Sequence, residues 1–264
     1  MKKVWSIVFK EWGEVFRHRL VLFSVSFMPL VFTAIPLVTL YSMRGITDPN
    51  EIADIAQLLE QSGSLCGQLN QLDCAQFLIL QQFMVLFLLL PVIIPVTIAS
   101  YSIVGEKTAK TLEPLLATPI TTTQLLAGKA LAAVIPAVGA TLAGYGIFSV
   151  GTLMLANSPA VAGQLFAPLW LLGIFIVGPL LSIAGVSMAV MISSRVNDPR
   201  VAEQVSALVM LPILAVFMGQ VFGAVVVNLQ FMVLIAIGMF VLDIVLIFFA
   251  TQLFQRENIL TRWK

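Results

Sequence analysis

Residues Phe77–Ser102 read FLILQQFMVLFLLLPVIIPVTIASYS, and soon after them Gly105–Pro119 read GEKTAKTLEPLLATP. The first stretch carries no charged side chain and exceeds the roughly 20 apolar residues a helix needs to cross a hydrocarbon core. The second is charged and amphipathic. Leu112, Leu115 and Leu116 recur in it at i, i+3 and i+4, one narrow apolar ridge flanked by Glu106, Lys107, Lys110 and Glu113. A membrane span followed by a charged helical insert is the reading that decides this fold. A ridge of that kind suits docking into a partner's groove.

Outward from this stretch the same pattern repeats. Apolar runs long enough to span fall near Leu20–Tyr41, Phe77–Ser102, Lys129–Ala156, Phe166–Ser193, Val205–Val225 and Gln230–Thr251. The chain of 264 residues is 59% hydrophobic and 10% charged, with a mean hydropathy of +1.02, far from soluble composition. The expected fold class is all-α: a polytopic membrane protein with six transmembrane helices in a single domain over residues 1–264.

Charge placement orients it. With the N-terminus inside, Lys2, Lys3, Lys10, Arg17, Arg19, Lys107, Lys110, Lys129, Arg195, Arg200, Arg256, Arg262 and Lys264 all fall on the cytoplasmic side. Of the 14 lysines and arginines only Arg44 stays outside, beside Asp48, Glu51, Asp54, Glu60 and Asp73. The positive-inside rule then predicts that both termini and the 103–128 segment are cytoplasmic. No cleavable signal peptide is expected, because a charged helical stretch precedes the first apolar run.

Residues 1–19 place Trp5, Val8, Phe9, Trp12 and Phe16 at helical spacing, which predicts an amphipathic helix lying along the inner membrane interface. Residues 42–76 form the one large outer loop. There Asp48, Pro49 and Glu51 supply an N-cap, a proline at N1 and a glutamate at N3 for a short amphipathic helix. Cys66 and Cys74 share that loop, and an oxidising exterior predicts a disulfide between them. Pro29, Pro36, Pro91, Pro95, Pro136, Pro179 and Pro212 lie within spans, so these helices should bend and pack against protein. Gly219 and Gly223 have the spacing of a helix-packing interface. Thr121 followed by Gln124 fits a capping box starting the third span.

The census excludes much chemistry. No catalytic residue is expected: the one histidine, His18, is outside any span, and Gly185-Val186-Ser187 lacks a base. No metal is expected, for lack of a cluster of His, Cys and carboxylates on one membrane side. Gly128-Lys129-Ala130 lacks the glycine spacing and the hydroxyl of a P-loop, so the chain is expected to bind no cofactor of its own. Nucleic acid is excluded as a partner by the absence of a basic, aromatic-interleaved patch. Asp243 is the one ionisable residue deep in a span, either on an ion or substrate pathway or as a packing group between helices.

Glu106, Lys107, Thr111, Leu112, Glu113, Pro114, Leu115, Leu116, Thr118 and Pro119 resemble the segment between the second and third spans in permease subunits of the type-2 ABC exporter family. Ser193, Ser194, Arg195, Arg200, Ala202, Glu203, Gln204 and Pro212 are similar to that family's inner loop leading into the fifth span. The resemblance covers nearly the whole chain. It implies an exporter moving substrate by alternating access, with ATP and Mg held by a separate ATPase subunit that contacts the ten residues named first. It also implies a second permease, most simply another copy of this chain, within a plasma or inner membrane and among its lipids. The alternatives are a non-transporting structural or regulatory membrane subunit and a lipid-modifying membrane enzyme.

Overall fold

The computed structural model describes residues 2–17, 19–44, 70–109 and 120–253. The expected outer helix after Asp48, Cys66, and the ridge residues Thr111–Pro119 lie outside the described residues. The elements are α1 (Lys2–Val15), α2 (Arg19–Met43), α3 (Gln71–Phe87), α4 (Leu90–Thr108), α5 (Thr122–Leu155), α6 (Pro159–Gly163), α7 (Pro168–Leu172), α8 (Gly178–Ser193), α9 (Pro199–Ser206), α10 (Leu211–Val221) and α11 (Leu229–Leu253). No strand occurs among the described residues. Six stretches are long and apolar enough to cross a membrane: Val21–Met43, Gln71–Thr108, Thr122–Leu155, Pro159–Ser193, Pro199–Val221 and Leu229–Leu253.

Proline decides where these stretches break. The second is two helices joined at Leu88–Leu89, just ahead of Pro91, which takes an early helical position where its missing N–H costs nothing. The fourth is segmented further. Gly173–Val177 forms a π turn between α7 and α8, and Pro179 begins the regular helix. Pro179 has no N–H to give the carbonyl four residues back, so the ladder widens and Gly178 N–H reaches Gly173 O instead.

The helices alternate between two ends. At one, Arg44 Nη1 donates to Met154 O (3.1 Å), Gln76 Oε1 accepts from Asn157 N (3.0 Å) and Gln81 Nε2 donates to Val227 O (2.7 Å). At the other lie α1, the stem of the 103–128 segment and the Arg195–Asp198 loop. The core near the first end is aromatic: Phe87, Phe148 and Trp170 pack with ring centroids 5.2 and 5.7 Å apart. Tyr145 joins them and donates its hydroxyl to Leu165 O at 2.6 Å. Near the second end the core turns to small residues, Ala99, Ala133, Ala137 and Ala189 with Ile98 and Val190. Small side chains let helices approach closely where apolar burial gives no drive between them.

One expectation is corrected. Gly219 and Gly223 do not form a helix-packing face, because α10 ends at Val221 and Gly223 turns the chain at φ +68°. Ala224 N–H and Val225 N–H return to Gly219 O, so the two glycines build a tight turn, and Gly223 supplies the left-handed conformation it needs.

Candidate functional site

The site is assembled at the charged end, around the last turns of α4. Its first support is α1. Ile7, Val8, Glu11 and Val15 form the buried face of this helix, which lies against the start of α5. Ile7 sits so close to Gly128 that a Cβ there would come within 2.7 Å of Ile7 Cγ2, and Trp12 Nε1 donates to Ala132 O at 2.9 Å. The expected apolar face of α1 is thus divided. Val8 and Trp12 pack on protein, while Trp5 and Phe9 stay exposed.

This contact buries Glu11, Lys129 and Glu106 together, each at most 6% exposed. Lys129 Nζ stands 2.8 Å from Glu11 Oε1 and 2.8 Å from Glu106 Oε2. Lys10 Nζ reaches Glu106 Oε1 at 2.9 Å. Ser102 donates to Glu11 and accepts from Lys129 Nζ at 2.8 Å. One buried cation faces two buried carboxylates, and the half-exposed Lys10 supplies the second positive charge, so that each buried carboxylate meets an ammonium group. Burial opposes the charge on Lys10, but its bond to Glu106 and the nearby Glu11 and Glu14 outweigh this and raise its pKa above 10.5.

Carboxylate oxygens of Glu11, Glu14 and Glu106 converge within 4.8 Å of one another, a grouping that sequence reading did not anticipate. Lys10 and Lys129 already lie against these carboxylates and supply the positive charge a metal ion would bring. The arrangement is therefore one of ionic bracing between three elements.

The second support comes from the loop after α8. Lys107 Nζ donates to Ser194 O (3.2 Å) and Val196 O (3.1 Å), placing a cation at the C-terminal end of α8 where free carbonyls gather. Thr97 Oγ1 donates to Glu203 Oε1 on α9 at 2.6 Å. The two motifs quoted from the sequence, one beginning at Glu106 and the other at Ser193, thus meet on α4.

On the far side of the undescribed stretch, Thr121 caps α5. Gln124 N–H donates to the Thr121 hydroxyl (3.2 Å) and Gln124 Oε1 accepts from Thr121 N (3.3 Å), the capping box its sequence indicated. The described residues on either side of 110–119 are thus fixed to other elements. Glu106 precedes that segment, Lys129 follows it, and these two side chains form an ion pair.

The other expected residues lie elsewhere. Cys74 is buried near the start of α3 and is engaged, but its expected partner Cys66 is outside the described residues. Asp243 is 3% exposed on α11, far from the braced stem in sequence, and neither of its carboxylate oxygens has a hydrogen-bond partner among the described residues.

Sequence reading missed Glu11 and the role of Lys129. The signal was present: Glu11 falls between Val8 and Val15 on the apolar face of α1, and Lys129 opens the third apolar run. An acid on a buried face keeps its charge only with a cation or hydrogen-bond donors beside it, so Glu11 called for a search for a partner on another element.

Six helices long and apolar enough to cross a membrane, with a network of buried ion pairs at one end, define a multi-pass membrane protein. The chain belongs to the ABC-2 family of transporter proteins, whose family model, described as "ABC-2 family transporter protein", matches residues 5–259. It is a multi-pass membrane permease of an ABC transporter, and such a permease works with a separate ABC ATPase subunit. No curated protein matches the chain at a significant level.

Proposed function

We propose that this permease exports its substrate by alternating access, with residues 110–119 as the docking segment for the ATPase and a second copy of the chain completing the pathway. The observation that carries this reading is the braced stem. A segment that receives a push from a nucleotide-driven partner must hand it to the spans, and a freely hinged loop dissipates it. Here the stem is fixed to α1 and α5 through Glu106, Lys129 and Glu11, and to the α8–α9 loop through Lys107. Displacement of the segment therefore reaches the second, third and fourth spans together.

Glu106 and Lys107 act in this scheme as internal anchors, and Thr111, Leu112, Glu113, Pro114, Leu115, Leu116, Thr118 and Pro119 provide the contact surface. ATP and Mg belong to the partner, and this chain performs no catalysis. Thirteen of the 14 lysines and arginines lie at the α1 end or in segments continuous with it, which supports a cytoplasmic location for that end in a plasma or inner membrane. Cys66 and Cys74 then fall on the oxidising side and pair with each other. Thiol labelling without reductant that modifies both cysteines refutes the pairing.

The decisive experiment substitutes Leu115→Asp and Leu116→Asp. A charge on the docking ridge opposes burial against a partner, so both variants should insert normally yet lose ATPase co-purification and substrate export. Co-purification equal to wild type rejects the docking assignment. Retained ATPase binding without any change in substrate flux across a panel of candidates instead favours a non-transporting subunit.

A further inference from the structure

An apolar groove of about 610 Å³ lies among α3, α8, α10 and α11, and none of its lining residues belongs to the braced stem. Leu181, Ala184 and Met188 of α8 form its deep wall. Its lining along α11 runs from Phe231 to Leu246, fifteen residues at 1.5 Å each, or about 22 Å. The groove follows a spanning helix, the direction in which lipid chains extend.

One end is closed. Val227 lines it there, and Gln81 Nε2 bonds to Val227 O at 2.7 Å. The side is open. α10 packs on α3 while α11 packs on α8, leaving a seam between them. Leu234, Gly238 and Leu242 border that seam at i, i+4 and i+8, and all three belong both to the groove lining and to the exposed surface; Leu234 is 70% exposed.

The lining side chains offer no group to hold water, and apolar cavities of this kind stay dry. An empty channel forfeits the dispersion contacts that close-packed interiors make. The groove's length of about 22 Å and its wholly apolar lining match one extended hydrocarbon chain within a bilayer core. We propose that one acyl chain of a membrane lipid occupies this groove, entering sideways through the seam between α10 and α11. The inference concerns the bilayer's own lipid and stands whether or not an ATPase docks at residues 110–119.

The test places the protein in phosphatidylcholine nanodiscs containing lipid with a diazirine in its acyl chain, followed by illumination and residue-level mass spectrometry. Wild type should be labelled at Leu181, Ala184 or Met188, behind the seam, as well as on the exposed Phe248. A Cβ at Gly238 meets nothing within 4 Å, so Gly238→Trp starts from an unobstructed position on the groove lining and is designed to block the mouth, with an unchanged thermal unfolding profile as the check that it folds. That variant should lower labelling of the α8 wall by roughly fivefold or more, a change of about 1 kcal/mol in occupancy, and leave Phe248 unchanged. An α8 wall that is unlabelled in wild type, or labelled equally in both, overturns the proposal. So does efficient cross-linking of Gly238→Cys between two copies with the α8 wall unlabelled, which assigns the mouth to a second protein chain.

Discussion

Two carboxylates, Glu106 and Asp243, are buried to nearly the same extent, at 6% and 3% exposure, yet their surroundings are opposite. Glu106 meets ammonium groups from two other helices, while Asp243 has no hydrogen-bond partner among the described residues. Burial alone is therefore a poor guide to what an acid does. The first carboxylate joins elements that would otherwise be separate, so removing it must disconnect them. The second joins no other described residue, so its removal should release a local cost and leave the helix packing in place.

The sharpest way to break this comparison is Lys129→Met. It leaves Glu11 and Glu106 buried with Lys10 as their remaining nearby cation, a loss on the order of 3–5 kcal/mol for stripping one partner from a buried pair. Thermal unfolding of the purified protein should show the largest drop of any variant discussed here, with Lys129→Arg recovering part of it. A Lys129→Met protein as stable as wild type refutes the bracing role.

Next in size is Asp243→Leu, with the opposite sign. Replacing an unsatisfied buried carboxylate by an apolar side chain should raise stability by about 1–3 kcal/mol. Asp243→Asn should change it little. If both substitutions abolish flux or alter its pH dependence while stability rises, Asp243 belongs to the pathway and the packing interpretation fails.

Lys107→Ala removes a cation from the end of α8, and should cost about 1 kcal/mol. Its larger effect should be on coupling, seen as substrate-stimulated ATPase activity falling while ATPase binding persists. Equal loss of both assigns Lys107 to docking instead.

The smallest effect concerns Lys10, which is 40% exposed and partly screened by solvent. Its pKa lies above 10.5 in the folded protein, so its contribution is fully present at neutral pH and declines as pH rises through that raised value. Lys10→Ala should therefore flatten the alkaline limb of the stability profile and, because the pair with Glu106 is also lost when that carboxylate protonates, reduce the acidic limb as well. A change confined to acid would contradict the assignment.

The spans were legible because each is a long run of apolar residues, a signal that survives without knowledge of neighbours. Thr121 with Gln124 was legible for a similar reason, since a capping box is complete within four residues. The brace was not, because Glu11, Glu106 and Lys129 come from three distant parts of the chain and only the docking of α1 on Gly128 brings them together. Gly219 and Gly223 misled for a related reason: their spacing suits both a packing face and a turn, and the early end of α10 decides between them.

The π turn at Gly173–Val177 has a consequence for how this chain tolerates change in length. It places an additional residue between Trp170, which belongs to the aromatic core, and Leu181, which belongs to the groove wall. Deleting one residue from 173–177 would let the wide turn close to an ordinary α-helical one while Trp170 and Leu181 keep nearly the same relative direction, because the extra residue is absorbed within the turn itself. A deletion in the regular helix of α8 would instead rotate one side by about 100° against the other. The fourth span should therefore tolerate the loss of one residue at these five positions better than within α8.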